Sequence, residues 1–168
     1  MYELVRALVL AALAQSAPPQ LVDQTGHAFT LGSLLGRPTV VTFVSAHCTD
    51  ACPLVNAQFA LAARTIARRR IVATLLTVTL DPQRDSAADM RKMAREFAAD
   101  PRYWKIADGS VENVRRVMER FGVVAVRAES GYREAHSTFV YVLDGKGAQV
   151  ETMLASSGLA GDIVNAVR

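Results

Sequence analysis

The stretch TVVTFVSAHCTDACPLVNAQF, residues 39–59, decides the fold. Thr39 to Val44 is an unbroken β-branched and aromatic run, the pattern of a strand covered on both faces. From Pro53 the period changes. Leu54, Val55, Phe59, Ala62 and Ile66 fall at helical spacing, which predicts a helix over Pro53 to Arg70. Between strand and helix lie His47, Cys48 and Cys52, and these are the only two cysteines of the chain. They occupy the loop after the carboxyl end of a strand, where open α/β sheets carry their functional groups.

Working outward, strands and helices alternate. Ile71 to Leu80 (IVATLLTVTL) reads as a second buried strand, and Ser86 to Ala99 as a helix opening on a serine cap with Asp89 three residues later. Tyr103 to Ala107 is a short strand, and Ser110 to Phe121 a helix stopped by Gly122. Ser137 to Leu143 turns through Asp144-Gly145-Lys146-Gly147 into Ala148 to Met153, a hairpin, and Gly158 to Arg168 closes the chain as a helix. Upstream, Leu21 to Thr30 reads as a short hairpin and Leu31 to Leu35 as one helical turn closed by Gly36. Val126 to Glu134 reads as a polar loop. This order predicts an α/β fold: a mixed central sheet flanked by helices, with an N-terminal hairpin.

The 168 residues, 51% hydrophobic and 21% charged, suit one folded domain, placed at residues 20–168. Nineteen basic against 16 acidic residues are scattered along the chain, which argues against a nucleic-acid partner, since that needs basic residues gathered on one face. The run Arg68-Arg69-Arg70 is expected at a helix end, where cations complement the macrodipole. Residues 1–17, MYELVRALVLAALAQSA, carry an apolar stretch from Ala7 to Ala14 behind Arg6, and Ala12-Leu13-Ala14 has the small-x-small form of a signal-peptidase site. The apolar run falls short of the ~20 residues that span a bilayer. We read it as an export signal or N-terminal anchor, against the alternative of an ordinary amphipathic helix. The domain is then expected in the cell envelope or periplasm, with membrane association only through the N-terminus. Nothing resembles a dedicated dimer interface, so a monomer is expected.

Cys48 lies in the loop and Cys52 near the first helical turn, with Pro53 in an opening position where its missing N–H costs little. The positive helix end favours thiolates near neutral pH. If the turn were helical throughout, the separation of four would set the side chains on one face, roughly 5–6 Å apart at Cβ. Three readings stay open: two buried apolar thiols, a redox pair, or a metal clamp. Thioredoxin-type pairs have two intervening residues, and here there are three. Two thiolates alone are a soft set suited to Cu(I), and an added imidazole accommodates Cu(II) or zinc as well. Of the three histidines, His27 is expected as a solvated turn residue, and His47 is expected to point away from its neighbour Cys48. His136 precedes the apolar strand STFVYVL and, taken alone, is an ordinary loop residue.

FVSAHCTDACPLVNAQF is similar to the signature of the Sco (SenC) family, where a strand runs into Thr-His-Cys-Pro-Asp-x-Cys-Pro. TVTLDPQRDSAADMRKMAREF resembles that family's strand, Asp-Pro-x-x-Asp loop and helix. EAHSTFVYVLDGKG resembles its ligand-histidine strand and following hairpin. The three motifs occur in order over about Gln20 to Arg168, with FTLGSLLGRPTVVTF and Trp104 fitting as well. Ala46 and Thr49 depart from the common Thr and Pro, and neither is a ligand position.

The resemblance implies a thioredoxin-like fold and a copper site whose ligands are Cys48, Cys52 and His136. It implies a copper metallochaperone, a carrier needing no turnover, that delivers copper to the dinuclear copper site of a cytochrome c oxidase subunit. The alternative is a thiol–disulfide reductase in which Cys48 and Cys52 act catalytically on partner cysteines. Asp81 and Asp85 are read either as orienting the site or as turn and cap residues, and Met90, Met93, Met118 and Met153 as core or surface fillers. A peroxidase of the peroxiredoxin kind wants Thr and Pro ahead of its cysteine, whereas Val44-Ser45-Ala46-His47 precede Cys48 here.

Overall fold

The computed structural model describes residues 17–48, 51–127, 133–135 and 139–168. β1 (Gln20–Asp23) and β2 (Ala28–Thr30) form the N-terminal hairpin, and a single 3₁₀ turn covers Leu31–Leu34. The main sequence of elements is then β3 (Thr39–Val44), α1 (Ala51–Arg69), β4 (Thr74–Thr79), α2 (Ala87–Glu96), β5 (Trp104–Asp108) and α3 (Val111–Arg120). Two short strands follow, β6 (Ala125–Arg127) and β7 (Arg133–Ala135), then β8 (Phe139–Leu143), β9 (Gln149–Leu154) and α4 (Leu159–Ala166).

Seven strands make one sheet in the order β2-β1-β5-β4-β3-β8-β9. β3, β4 and β5 run parallel, while β1 beside β5 and β8 beside β3 run against them. The expected mixed α/β sheet flanked by helices is therefore the observed one. All six residues of β3 and of β4 are buried, as their unalternating apolar runs require of central strands.

Successive side chains of β3 serve opposite faces. Val40 and Val44 join a core with Val55, Phe59 and Ile66 of α1, Met90 of α2 and Leu159 and Ile163 of α4. Val41 and Phe43 join the other core with Leu31, Val114, Val117 and Phe121. Trp104 is fully buried in the first core, its ring 5.8 Å from that of Phe59 and its Nε1–H donating to the Thr77 hydroxyl at 3.0 Å. The core polar group is satisfied, as burial demands.

Capping follows the sequence closely. The Ser86 hydroxyl accepts from the Asp89 N–H while the Asp89 carboxylate accepts from the Ser86 N–H, so Asp89 performs the reciprocal role usually given to glutamate. Ser110 caps α3, and Gly122, at φ +65°, follows its end.

Three expectations are corrected. α1 begins at Ala51 rather than Pro53. The second buried strand begins at Thr74, not Ile71: Arg70 takes a left-handed φ of 54°, and the Ile71 N–H turns back to the Ile66 carbonyl. The hydrogen bond ends α1 and spends residues 71–73 on the connection. Val126 to Glu134 is not simply a loop, because β6 and β7 at its two ends pair antiparallel, with Val126 opposite Glu134. Residues 1–16, the candidate signal or anchor, lie outside the described residues, among which no helix is long and apolar enough to cross a membrane.

Candidate functional site

β3 ends at Val44, and the chain leaves the sheet through Ser45, Ala46, His47 and Cys48 before entering α1. Cys48 is half-buried and lies ahead of the helix, whereas Cys52 is its second residue and is buried. The pair therefore does not share one uninterrupted described helical turn. It is brought together instead in one open cleft between α1 and α2, whose lining includes His47, Cys48, Cys52, Asn56, Met93 and Phe97. The unshared N–H groups of the first turn of α1 give that end of the helix its positive character.

The loop is anchored by Asp85. Its carboxylate is completely shielded and accepts from the Ala46 N–H at 3.1 Å and the Thr79 hydroxyl at 2.6 Å through Oδ2. Its Oδ1 lies 3.0 Å from Nδ1 of His47, the nitrogen that carries the hydrogen toward a carboxylate. Asp85 itself is set by a tight turn, its N–H and that of Arg84 both donating to the Asp81 carbonyl. Two loops that follow adjacent parallel strands, β3 and β4, are thus tied by one buried carboxylate. Asp85 thus closes the turn after β4 through its backbone and holds the Cys48 loop through its side chain.

His47 sits in the loop after β3. Its ring is held against Asp85, and it lines the same cleft as Cys48. His27 is exposed in the β1–β2 turn, as expected. His136, the remaining expected ligand, lies outside the described residues. The strand that follows it is described: Val140 of β8 pairs with Thr42 of β3, and the Thr42 hydroxyl donates to the Phe139 carbonyl at 3.2 Å. Because β8 is antiparallel to β3, the chain enters β8 at the end of the sheet from which β3 departs toward the cysteines.

Asp89, Lys92 and Glu96 rim the cleft. The Asp89 carboxyl is held below the ordinary carboxylate range by the Ser86 hydroxyl first, then by the Ser86 N–H, with the His47 charge adding a smaller effect. At the end of β5, burial pushes the Asp108 carboxyl upward, and the nearby Asp85 charge adds to the rise. Sequence reasoning missed Asn56, which is buried, lines the cleft and donates from Nδ2 to the Met93 sulfur at 3.3 Å. Its one legible signal was its place four residues after Cys52, on the same helical face.

The SCO1/SenC family profile matches residues 11–168. The chain belongs to the SCO1/SenC family. A curated relative, the mitochondrial SCO1 homolog 1 of Arabidopsis thaliana, is 27% identical over 134 residues, covering 77% of this chain and 39% of the relative. This SCO1/SenC chain thus spans well under half the length of that protein. Among solved structures, copper-bound ScoI of Bradyrhizobium japonicum superposes with a TM-score of 0.74 at 25% identity, covering 89% of this chain and 98% of the other. BsSco, described as a member of the Sco family of cytochrome c oxidase assembly proteins with a disulfide switch, superposes with a TM-score of 0.75 at 19% identity, covering 90% of each chain. The expected Sco thioredoxin-like fold is the observed one.

Proposed function

We propose that this chain is a copper chaperone of the cell envelope, binding one copper ion through Cys48, Cys52 and His136 and delivering it to the dinuclear copper site of a cytochrome c oxidase subunit. The observation that carries the reading is the convergence of both cysteines on one open cleft at the end of β3. Thiolates are soft donors, so the pair favours Cu(I), and a third imidazole extends the set to Cu(II). The copper-bound ScoI structure supports the choice of metal, and BsSco supports oxidase assembly as the setting. The antiparallel seating of β8 supports His136 as the third ligand, because the strand that follows it in sequence starts at the end of the sheet where β3 leaves for the cysteines. A site on a loop, beside an open cleft, permits ligand exchange with an acceptor without unfolding the core. Carriage requires no catalytic turnover. The protein acts as a monomer, exported or anchored through residues 1–17.

The contrast between an accessible Cys48 and a buried Cys52 favours a second reading, a thiol–disulfide reductase. The Cys48 thiolate attacks a partner disulfide, a mixed disulfide forms, and one partner sulfur leaves as thiolate. Cys52 then attacks Cys48, releasing the second partner thiol and leaving this chain oxidised and the partner reduced.

Competition for Cu(I) against a chromogenic chelator, on the reduced chain, tests the first reading. Stoichiometric binding that Cys48→Ala and His136→Ala each weaken by at least about tenfold supports the three-ligand site. Binding indifferent to His136→Ala removes that ligand and puts the reductase reading ahead.

A further inference from the structure

The cleft contains a third sulfur. Met93 reaches it from α2, on the wall facing the two cysteines of the β3–α1 corner. Its thioether is fixed 3.3 Å from Nδ2 of Asn56, and Asn56 follows Cys52 by one helical turn. Residues so spaced have Cβ atoms about 5–6 Å apart on one helical face, so the sulfur lies against the face of α1 that carries Cys52.

Packing alone does not account for this arrangement. Asn56 is 2% exposed, and among the described residues its Oδ1 has no hydrogen-bond partner. Its amide donates to a thioether, which is a weak acceptor. A buried amide served so poorly is costly, and an apolar side chain would fill the space at less cost. What the amide does achieve is to hold the Met93 sulfur on the cleft side of α2 while leaving it a lone pair. A thioether is neutral and soft, prefers Cu(I), and hangs on a flexible unbranched chain.

We propose that Met93 is an alternative third ligand for Cu(I), completing a Cys48–Cys52–Met93 set when the imidazole ligand is displaced. The proposal rests on the copper reading of the two cysteines. It gives the cargo a weaker, uncharged holding position during exchange with an acceptor, so that copper stays three-coordinate as one ligand is replaced.

The test uses the full chain, reduced, with Cu(I) supplied from a chelator buffer, comparing wild type, Met93→Leu, His136→Ala and the double variant. Leucine conserves volume, so the core is retained. The expected result is that Met93→Leu alone changes affinity by less than about threefold, while adding it to His136→Ala weakens binding by at least about tenfold. Selenium-edge X-ray absorption on selenomethionine-labelled His136→Ala, loaded with Cu(I), should show copper backscattering that disappears on Met93→Leu. A double variant that binds like His136→Ala, or a selenium spectrum without copper, overturns the proposal. If the wild-type chain takes up no Cu(I), the copper reading falls together with it; if it binds and Met93 is silent, only the Met93 proposal falls.

Discussion

Asp85 and His47, 38 residues apart in sequence, meet at 3.0 Å, with the carboxylate wholly shielded and the imidazole about one-third exposed. The contact turns the cysteine loop from a free connection into a fixed rim of the cleft. Asp85→Ala would leave the Ala46 N–H and the Thr79 hydroxyl without their acceptor, and should cost about 3 kcal/mol in denaturant unfolding. Cu(I) affinity should fall by roughly 10–100-fold with both cysteines intact, as when an outer hydrogen bond to a metal site is removed. An affinity equal to wild type would show that the loop needs no anchor.

Thr77 and Trp104 give a prediction for the core. The Thr77 hydroxyl accepts from a fully buried indole N–H, so Thr77→Val preserves shape and deletes the acceptor. A loss of about 1–3 kcal/mol is expected, with near-ultraviolet circular dichroism reporting the altered tryptophan environment. Stability within a few tenths of wild type would mean that water or a shifted neighbour replaces the bond.

Acid stability should be set in part by Asp23. Burial alone would raise its carboxyl, but the Lys105 ammonium, the Thr25 hydroxyl and the Thr25 and His27 N–H groups outweigh that and bring it to about 2, against an ordinary 3.8. A depressed carboxyl stabilises the fold fully above its unfolded value and loses that contribution as pH falls through the folded one. Between pH 5 and pH 2 the wild type should therefore lose about 2 kcal/mol more than Asp23→Asn. Parallel curves for the two proteins across that range would contradict this.

Ala98 follows α2 with a left-handed φ of 51° and an exposed side chain. Glycine adopts that conformation without the Cβ clash, so Ala98→Gly should raise stability by up to about 1 kcal/mol despite its entropy. A lower melting temperature would show that the strain is offset elsewhere.

Much of the fold was legible because its central strands are covered on both faces. Thr39–Val44 has no polar alternation to mislead, and Ser86, Ser110 and Gly122 mark helix ends by capping chemistry that acts locally. The misses have equally local causes. Arg70 carries no glycine-like sign that it will turn left-handed, so the pattern reads Ile71 as strand although its N–H belongs to the end of α1. β6 and β7 are three residues each and pair with one another, too short for a period to show. At the site, spacing exposed Cys48 and Cys52, but the link from His47 to Asp85 depends on two loops meeting across neighbouring strands. No single segment encodes that meeting. Met93 looked like one more apolar position of an amphipathic helix, and only the Asn56 amide sets its sulfur apart.

The antiparallel seating of β8 against β3 bears on the order of biogenesis. On the proposed ligand set, a chain emerging from its N-terminus presents both thiols long before His136 and the β8–β9 hairpin after it have been made. Copper met at that stage would find sulfur donors alone, and the imidazole hold would be added only once the C-terminal part of the chain has been made. On that ligand set, capture at full strength would report a completed chain.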